Sequence, residues 1–148
     1  TWHFIGHLQS NKVKKAVELF DVIQSVDSLN LAKKIDNECE KQFKKINILL
    51  QVNIAKEPQK HGFNEEDVGN ALFQISKLKN IRIDGFMMMA PNIEPGKTRP
   101  FFKQMKTLFN KYKQIYNFAI LSMGMSNDYK IAIEEGSNMV RIGTKLFE

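Results

Sequence analysis

Short apolar runs alternate with amphipathic helical segments from one end of this chain to the other, and that alternation leaves few folds open. Strands and helices in strict succession bury both kinds of apolar face by laying parallel strands under crossover helices. Trp2–Ile5 is aromatic and β-branched, and Gly6 ends it. A cap signal at Ser10 or Asn11 opens a helix in which Val13, Ala16, Val17 and Phe20 recur at helical spacing. Val22–Val26 is a short strand, and Ser28 caps a helix carrying Leu29, Ala32, Ile35 and Cys39. Ile46–Ile54 is the strongest strand, apolar enough to be buried on both faces. After a loop with Pro58 and Gly62, Asn64 caps a helix running through Leu78, its first turn acidic at Glu65, Glu66 and Asp67. Ile81–Met89 is the next strand, Pro91, Pro95 and Gly96 mark a loop, and a helix opens at Thr98 or Arg99 and runs to Tyr116. Ala119–Ser122 reads as a buried strand broken by Gly124. Ser126 or Asn127 then caps a helix closed by Gly136, and Asn138–Ile142 is the last strand.

That makes six strands and five helices in one domain over residues 1–148, a length and a 43% hydrophobic content suited to a single core. Two α/β arrangements fit, an open doubly wound sheet and a parallel (β/α)₈ barrel of the TIM type. A barrel needs eight strands and usually about 250 residues, so the barrel reading expects two strand–helix units before Thr1. Under it the strands at 119–122 and 138–142 become the seventh and eighth, the positions after which barrels often seat a phosphate. The count and the seat agree, and the expectation is a barrel lacking about two N-terminal units.

The seat itself is legible. A glycine-containing turn feeding a helix N-terminus presents unpaired N–H groups to an anion, and Leu121-Ser-Met-Gly-Met-Ser-Asn-Asp128 has that form. Gly143-Thr144, one strand later, offers more donors. On a strand, residues 141 and 143 share a face, so Arg141 points the same way as Gly143 and needs an acceptor there. A salt bridge to a strand carboxylate is the other use for that arginine. The charge of +6 comes mainly from lysines scattered over helices, which reads as a solvated face rather than a nucleic-acid surface. One cysteine excludes an internal disulfide and suits a reducing compartment, and no apolar run reaches the roughly 20 residues of a membrane span. His3 and His61 have no metal-ligand spacing with Cys39 or with each other, so no metal is expected. His3 reads as a satisfied core residue, and the methionines at strand ends, among them Met87, Met88, Met89 and Met125, as gap-fillers.

Five segments in order resemble the pyridoxal phosphate homeostasis family, relatives of the N-terminal barrel of alanine racemase. They are Trp2-His-Phe-Ile-Gly6 with Leu8-Gln-Ser-Asn-Lys12, Lys60-His-Gly-Phe63, Gly85-Phe-Met-Met-Met-Ala-Pro91, Ser122-Met-Gly-Met-Ser-Asn-Asp128 and Val140-Arg-Ile-Gly-Thr144. The resemblance covers the whole chain and implies the C-terminal three-quarters of a fold-type III barrel. It implies a cytoplasmic protein, monomeric or weakly dimeric, that binds pyridoxal 5′-phosphate and keeps vitamin B6 and amino-acid pools in balance without turnover. Apoenzymes that need the cofactor are the implied partners. Ser126, Gly143 and Thr144 are implied to hold the phosphate and Arg141 the pyridine nitrogen, with Ser122 orienting Arg141 or touching the ring. The family's Schiff-base lysine lies on its first barrel strand, and no lysine here matches that motif, so no catalytic residue is assigned. Lys60 matches a loop lysine of the family and otherwise reads as a solvated surface residue. A racemase on the same scaffold is the alternative, although such enzymes need a second base, commonly a tyrosine from an added domain. A basic module for RNA or acidic proteins is the third reading.

Overall fold

The computed structural model describes residues 1–148. Its strands are β1 (His3–Phe4), β2 (Val22–Val26), β3 (Ile46–Gln51), β4 (Ile81–Met87), β5 (Ile120–Met125) and β6 (Met139–Arg141). The helices α1 (Val13–Leu19), α2 (Leu29–Lys41), α3 (Val68–Ile75), α4 (Arg99–Tyr116) and α5 (Tyr129–Glu134) fall between them, one per crossover. Short 3-10 turns lead into α1, α3 and α4, and a last one, Thr144–Leu146, follows β6. No helix is long and apolar enough to cross a membrane.

Strand order decides between the two arrangements left open by the alternation. The six strands form one sheet in the order β1-β2-β3-β4-β5-β6, every neighbouring pair parallel. A doubly wound sheet reverses its order partway so that helices cover both faces. Here the order never reverses, and because parallel crossovers share one hand, all five helices fall on one face. The other face is left to curl inward. It does so far enough that Gln24 on β2 meets Ser122 on β5, two side chains three strands apart in the sheet. The result is a half-barrel.

The main core lies on the convex side, where Ile23, Ile48, Leu50, Phe86, Leu121 and Met123 of the strands pack under Val17, Ile35, Leu72, Phe102 and Phe109 of the helices. Glycines allow the closest approaches. Gly85 has φ +151, and a Cβ there would stand 1.7 Å from the carbonyl oxygen of Ile120 on the neighbouring strand. Gly124 has φ +99, and a Cβ would meet the Cβ of Ala132 at 2.6 Å, so its absence lets α5 sit down on β5. Cys39 is a free, buried thiol, and burial pushes it up to about 11.

The helix starts depart from the capping pattern more than the elements depart from the apolar one. Ser28 does cap α2, its hydroxyl accepting from the Leu31 N–H at 3.1 Å. Ser10, Asn11 and Asn64 make no side-chain cap bond, because 3-10 turns at Ser10–Lys12 and Glu65–Asp67 start those helices instead. Gly124 does not break β5, which continues through it to Met125 with a register shift against β6. Neither Ser126 nor Asn127 caps α5; its N-cap position is Asp128, whose carboxylate accepts the Met125 N–H at 2.7 Å. The reason is that Ser126 is engaged elsewhere.

Candidate functional site

Side chains alternate across a strand, so while Leu121 and Met123 enter the convex core, Ser122 faces the concave side with Gln24, Met139 and Arg141. β2 is buried at every residue and yet carries Gln24 and Ser25. Polar groups in such a strand need partners, and Gln24 finds them across the curl. Arg141 Nη1 donates to Ser122 Oγ at 2.7 Å, and Nη2 donates to the Met88 carbonyl at 2.8 Å. Ser122 Oγ donates to Gln24 Oε1 at 2.6 Å, and Gln24 Nε2 lies 2.9 Å from His3 Nδ1 and 3.2 Å from Met139 Sδ.

This chain has only one consistent direction. A guanidinium can only donate, so the Ser122 hydroxyl must spend its proton on Gln24 Oε1. Gln24 then turns its amide donors outward, and His3 Nδ1 must accept. His3 is therefore neutral with its proton on Nε2, in agreement with burial holding its imidazole below its ordinary value. Arg141 is itself buried, and burial lowers it to about 10, with Asp128 pulling the other way. It stays charged at neutral pH. No carboxylate pairs with it, so Arg141 forms no strand salt bridge. Two protein acceptors leave several of its five N–H donors unspent.

Above this seam, at the C-terminal ends of the strands, lies a cavity of about 410 Å³. Its walls include Arg141, Met125, Met89, Gln51, Lys60 and the two exposed imidazoles His7 and His61. The strand-end position is where barrel folds bind their ligands, and the volume is in the range of small-molecule sites.

Beside the cavity the turns after β5 and β6 close on each other. The N–H of Gly143 donates to Ser126 Oγ at 3.2 Å, and the N–H of Lys145 approaches the same oxygen at 3.4 Å. Ser126 thus occupies, with one hydroxyl oxygen, the focus of amides at the start of the Thr144–Leu146 turn. The space in front of Gly143 is open, with nothing within 4 Å of where a Cβ would stand. Thr144 is exposed beside it and makes no side-chain hydrogen bond. Of the five residues singled out in the sequence, Ser122 and Arg141 lie in the seam below the cavity, and Ser126 and Gly143 form the cradle at its side with Thr144 next to them.

Lys60 differs from expectation. It is half-buried rather than freely solvated, donates to the Ala90 carbonyl at 3.1 Å, and lies 2.8 Å from Glu57 as an ion pair. Sequence reading also passed over Gln24, whose signal was a polar pair, Gln24-Ser25, between the valines and isoleucine of a short strand. It passed over Asp27 and His7, which the fold gathers with His61.

A model of the alanine racemase N-terminal domain matches residues 1–148. The chain is 40% identical over 149 residues to the pyridoxal phosphate homeostasis protein of Aquifex aeolicus, covering 99% of this chain and 65% of that one. It is 42% identical to the protein of the same name from Synechocystis, covering 68% of it. The chain therefore spans about two thirds of the length of these relatives. Among solved structures it is similar to PipY of Synechococcus elongatus. The TM-score is 0.93 without PLP and 0.90 with PLP bound, at 39% and 38% identity, over all of this chain and 71% and 70% of those. An alanine racemase of Clostridium difficile superposes with a TM-score of 0.79 at 18% identity, which is a likeness of fold.

Proposed function

Because the chain belongs to the alanine racemase N-terminal domain family, we propose that it binds pyridoxal 5′-phosphate at the strand ends and serves in vitamin B6 and amino-acid homeostasis rather than as an enzyme. The observation that carries this reading is a buried guanidinium without a carboxylate partner that opens on the cavity, with an amide cradle in the turn two residues further on. Relatives bearing the homeostasis name and a neighbour solved with PLP bound support it.

The donor set fits the cofactor's two ends. The amides of Gly143 and Lys145, once released from Ser126 Oγ, and the hydroxyls of Ser126 and Thr144 are suited to a phosphate dianion, which takes several N–H and O–H donors at a chain turn. The unspent donors of Arg141 suit a pyridine nitrogen, with Ser122 fixing the guanidinium from behind. Met89 and Met125 give an apolar wall. When bound, the cofactor supplies an aldehyde and an aromatic ring that can withdraw electrons. Arg141 keeps its own proton at neutral pH and donates only a hydrogen bond, so the ring nitrogen stays unprotonated and withdraws weakly. That suits holding and releasing the cofactor better than varied amino-acid chemistry.

On this proposal the six strands are part of an eight-stranded barrel whose cofactor-bonding lysine lies outside residues 1–148. The protein works in the cytoplasm as a monomer or weak dimer and hands the cofactor to apoenzymes, with no nucleic-acid or membrane partner. The test is a fluorescence titration of the full-length protein with pyridoxal 5′-phosphate, run beside an alanine racemisation assay. Saturable 1:1 binding without turnover above free cofactor is expected. Absence of binding, or clear racemisation, refutes the reading.

A further inference from the structure

We propose that His7, Asp27 and His61 form a binding site for a divalent transition-metal ion of the zinc class at the rim of the cavity. The three residues come from three successive strand ends. His7 follows β1, Asp27 follows β2 directly, and His61 lies in the loop after β3. Because β1, β2 and β3 are neighbours in a parallel sheet, the topology sets these positions side by side although 54 residues separate the outer two in sequence (61 − 7).

The distances suit a metal. His7 Nδ1 and His61 Nδ1 lie 3.5 and 3.6 Å from the same oxygen, Asp27 Oδ2, and the three ligand atoms fall within 4.8 Å of one another. Bonds of about 2.0–2.2 Å in a tetrahedron put neighbouring ligand atoms roughly 3.3–3.6 Å apart. The present contacts are too long for good hydrogen bonds. No other protein donor bonds to the Asp27 carboxylate, although its side chain is only 14% exposed. A carboxylate so enclosed calls for a cation.

A proton on one imidazole is the competing solution. The two rings stack at 3.7 Å and 10°, so two imidazolium ions there would repel, and one proton leaves the second ring without a role. A divalent ion engages all three groups. Stacked rings aim their lone pairs side by side, and binding requires them to turn. Both side chains are substantially exposed and free to do so. Two imidazoles and one carboxylate select zinc, cobalt, nickel or copper over magnesium or calcium. The fourth position faces solvent and the cavity, open to water or an anionic ligand.

The experiment uses chelator-stripped full-length protein, without pyridoxal phosphate, titrated with Zn²⁺ against a chromophoric chelator, with Co²⁺ absorption reporting the coordination. One equivalent is expected to bind, and His7→Ala, His61→Ala and Asp27→Asn are each expected to weaken it at least about tenfold. Lys103→Ala, an exposed change on α4 away from the triad, is expected to leave it unchanged. The two imidazoles are exposed, so their variants keep the fold, as a melting curve without metal checks. Failure to bind Zn²⁺ more tightly than about 1 mM, or binding by both histidine variants as tight as the parent's, overturns the proposal. Since no cofactor enters the measurement, its outcome is independent of the homeostasis reading.

Discussion

The backbone N–H of Gly143 donates to the hydroxyl of Ser126 at 3.2 Å, joining the turn after β6 to the turn after β5. Two segments 17 residues apart in sequence (143 − 126) thereby present one set of donors. Ser126→Ala is expected to weaken binding of pyridoxal 5′-phosphate by about tenfold, the scale of one charge-assisted hydrogen bond, while leaving unphosphorylated pyridoxal unaffected. Parallel titrations with the two compounds check this. An equal loss for both places the phosphate elsewhere.

Gly143→Ala separates the cradle from the fold. Its φ of −120° suits any residue and its Cβ would enter open space, so the melting temperature is expected to hold. Phosphate binding is expected to fall, because the new methyl stands where the anion approaches. Thermal melts alongside the cofactor titration decide it.

Arg141 is fixed by partners that the cavity does not contain. Removing the Gln24 acceptor with Gln24→Ala leaves the Ser122 hydroxyl proton unplaced, at a cost of about 1–3 kcal/mol. Cofactor affinity should drop although Gln24 does not line the cavity. Ser122→Ala should resemble it, and the double variant should be less than additive because the two act through one chain. Urea unfolding and ligand titration of the three variants test this.

His3 supplies a pH dependence. Burial holds its imidazole below its ordinary value of 6.5, so the unfolded chain takes up that proton at a higher pH than the folded one. The contribution is present in full above about 6.5 and fades as the pH falls below it. His3→Gln, which keeps an acceptor but does not titrate, should flatten the loss of stability between pH 7 and 5 (about two decades of protonation) relative to the parent. Urea midpoints at several pH values measure the difference.

Gly124→Ala should destabilise by about 1–3 kcal/mol, through the positive φ and the clash with Ala132. Ala132→Gly added to it should relieve the contact with the Ala132 methyl but neither the positive φ nor the 3.0 Å approach to the Tyr129 backbone. Gly85→Ala meets a neighbouring backbone carbonyl rather than a side chain, and the protein should not fold. Expression and melting curves of the three check it.

The alternation of apolar runs and helical faces was sufficient to place all six strands and five helices, and Val22–Val26 and Arg99–Tyr116 begin and end where the pattern says. The caps fared worse at Ser10, Asn64 and Ser126, because a capping signature says which groups are able to bond and a 3-10 turn or a tertiary partner can claim them first. The residues of the cradle and the arginine were visible because glycine, serine and arginine at strand ends have few other uses. Gln24, Asp27 and His7 were not, since each looks ordinary beside its sequence neighbours.

What the sequence determined by itself was the set of strand and helix periods and the donors at two turns, for these depend on residues within a few positions of one another. Whether the sheet curls or lies flat was decided only in three dimensions, by an unreversed strand order that sends every helix to one face. That curl brings Gln24 to Ser122 across 98 positions and sets His7, Asp27 and His61 at one rim. Such distances are fixed by how strands pair and crossovers turn, and no local pattern in the chain records them.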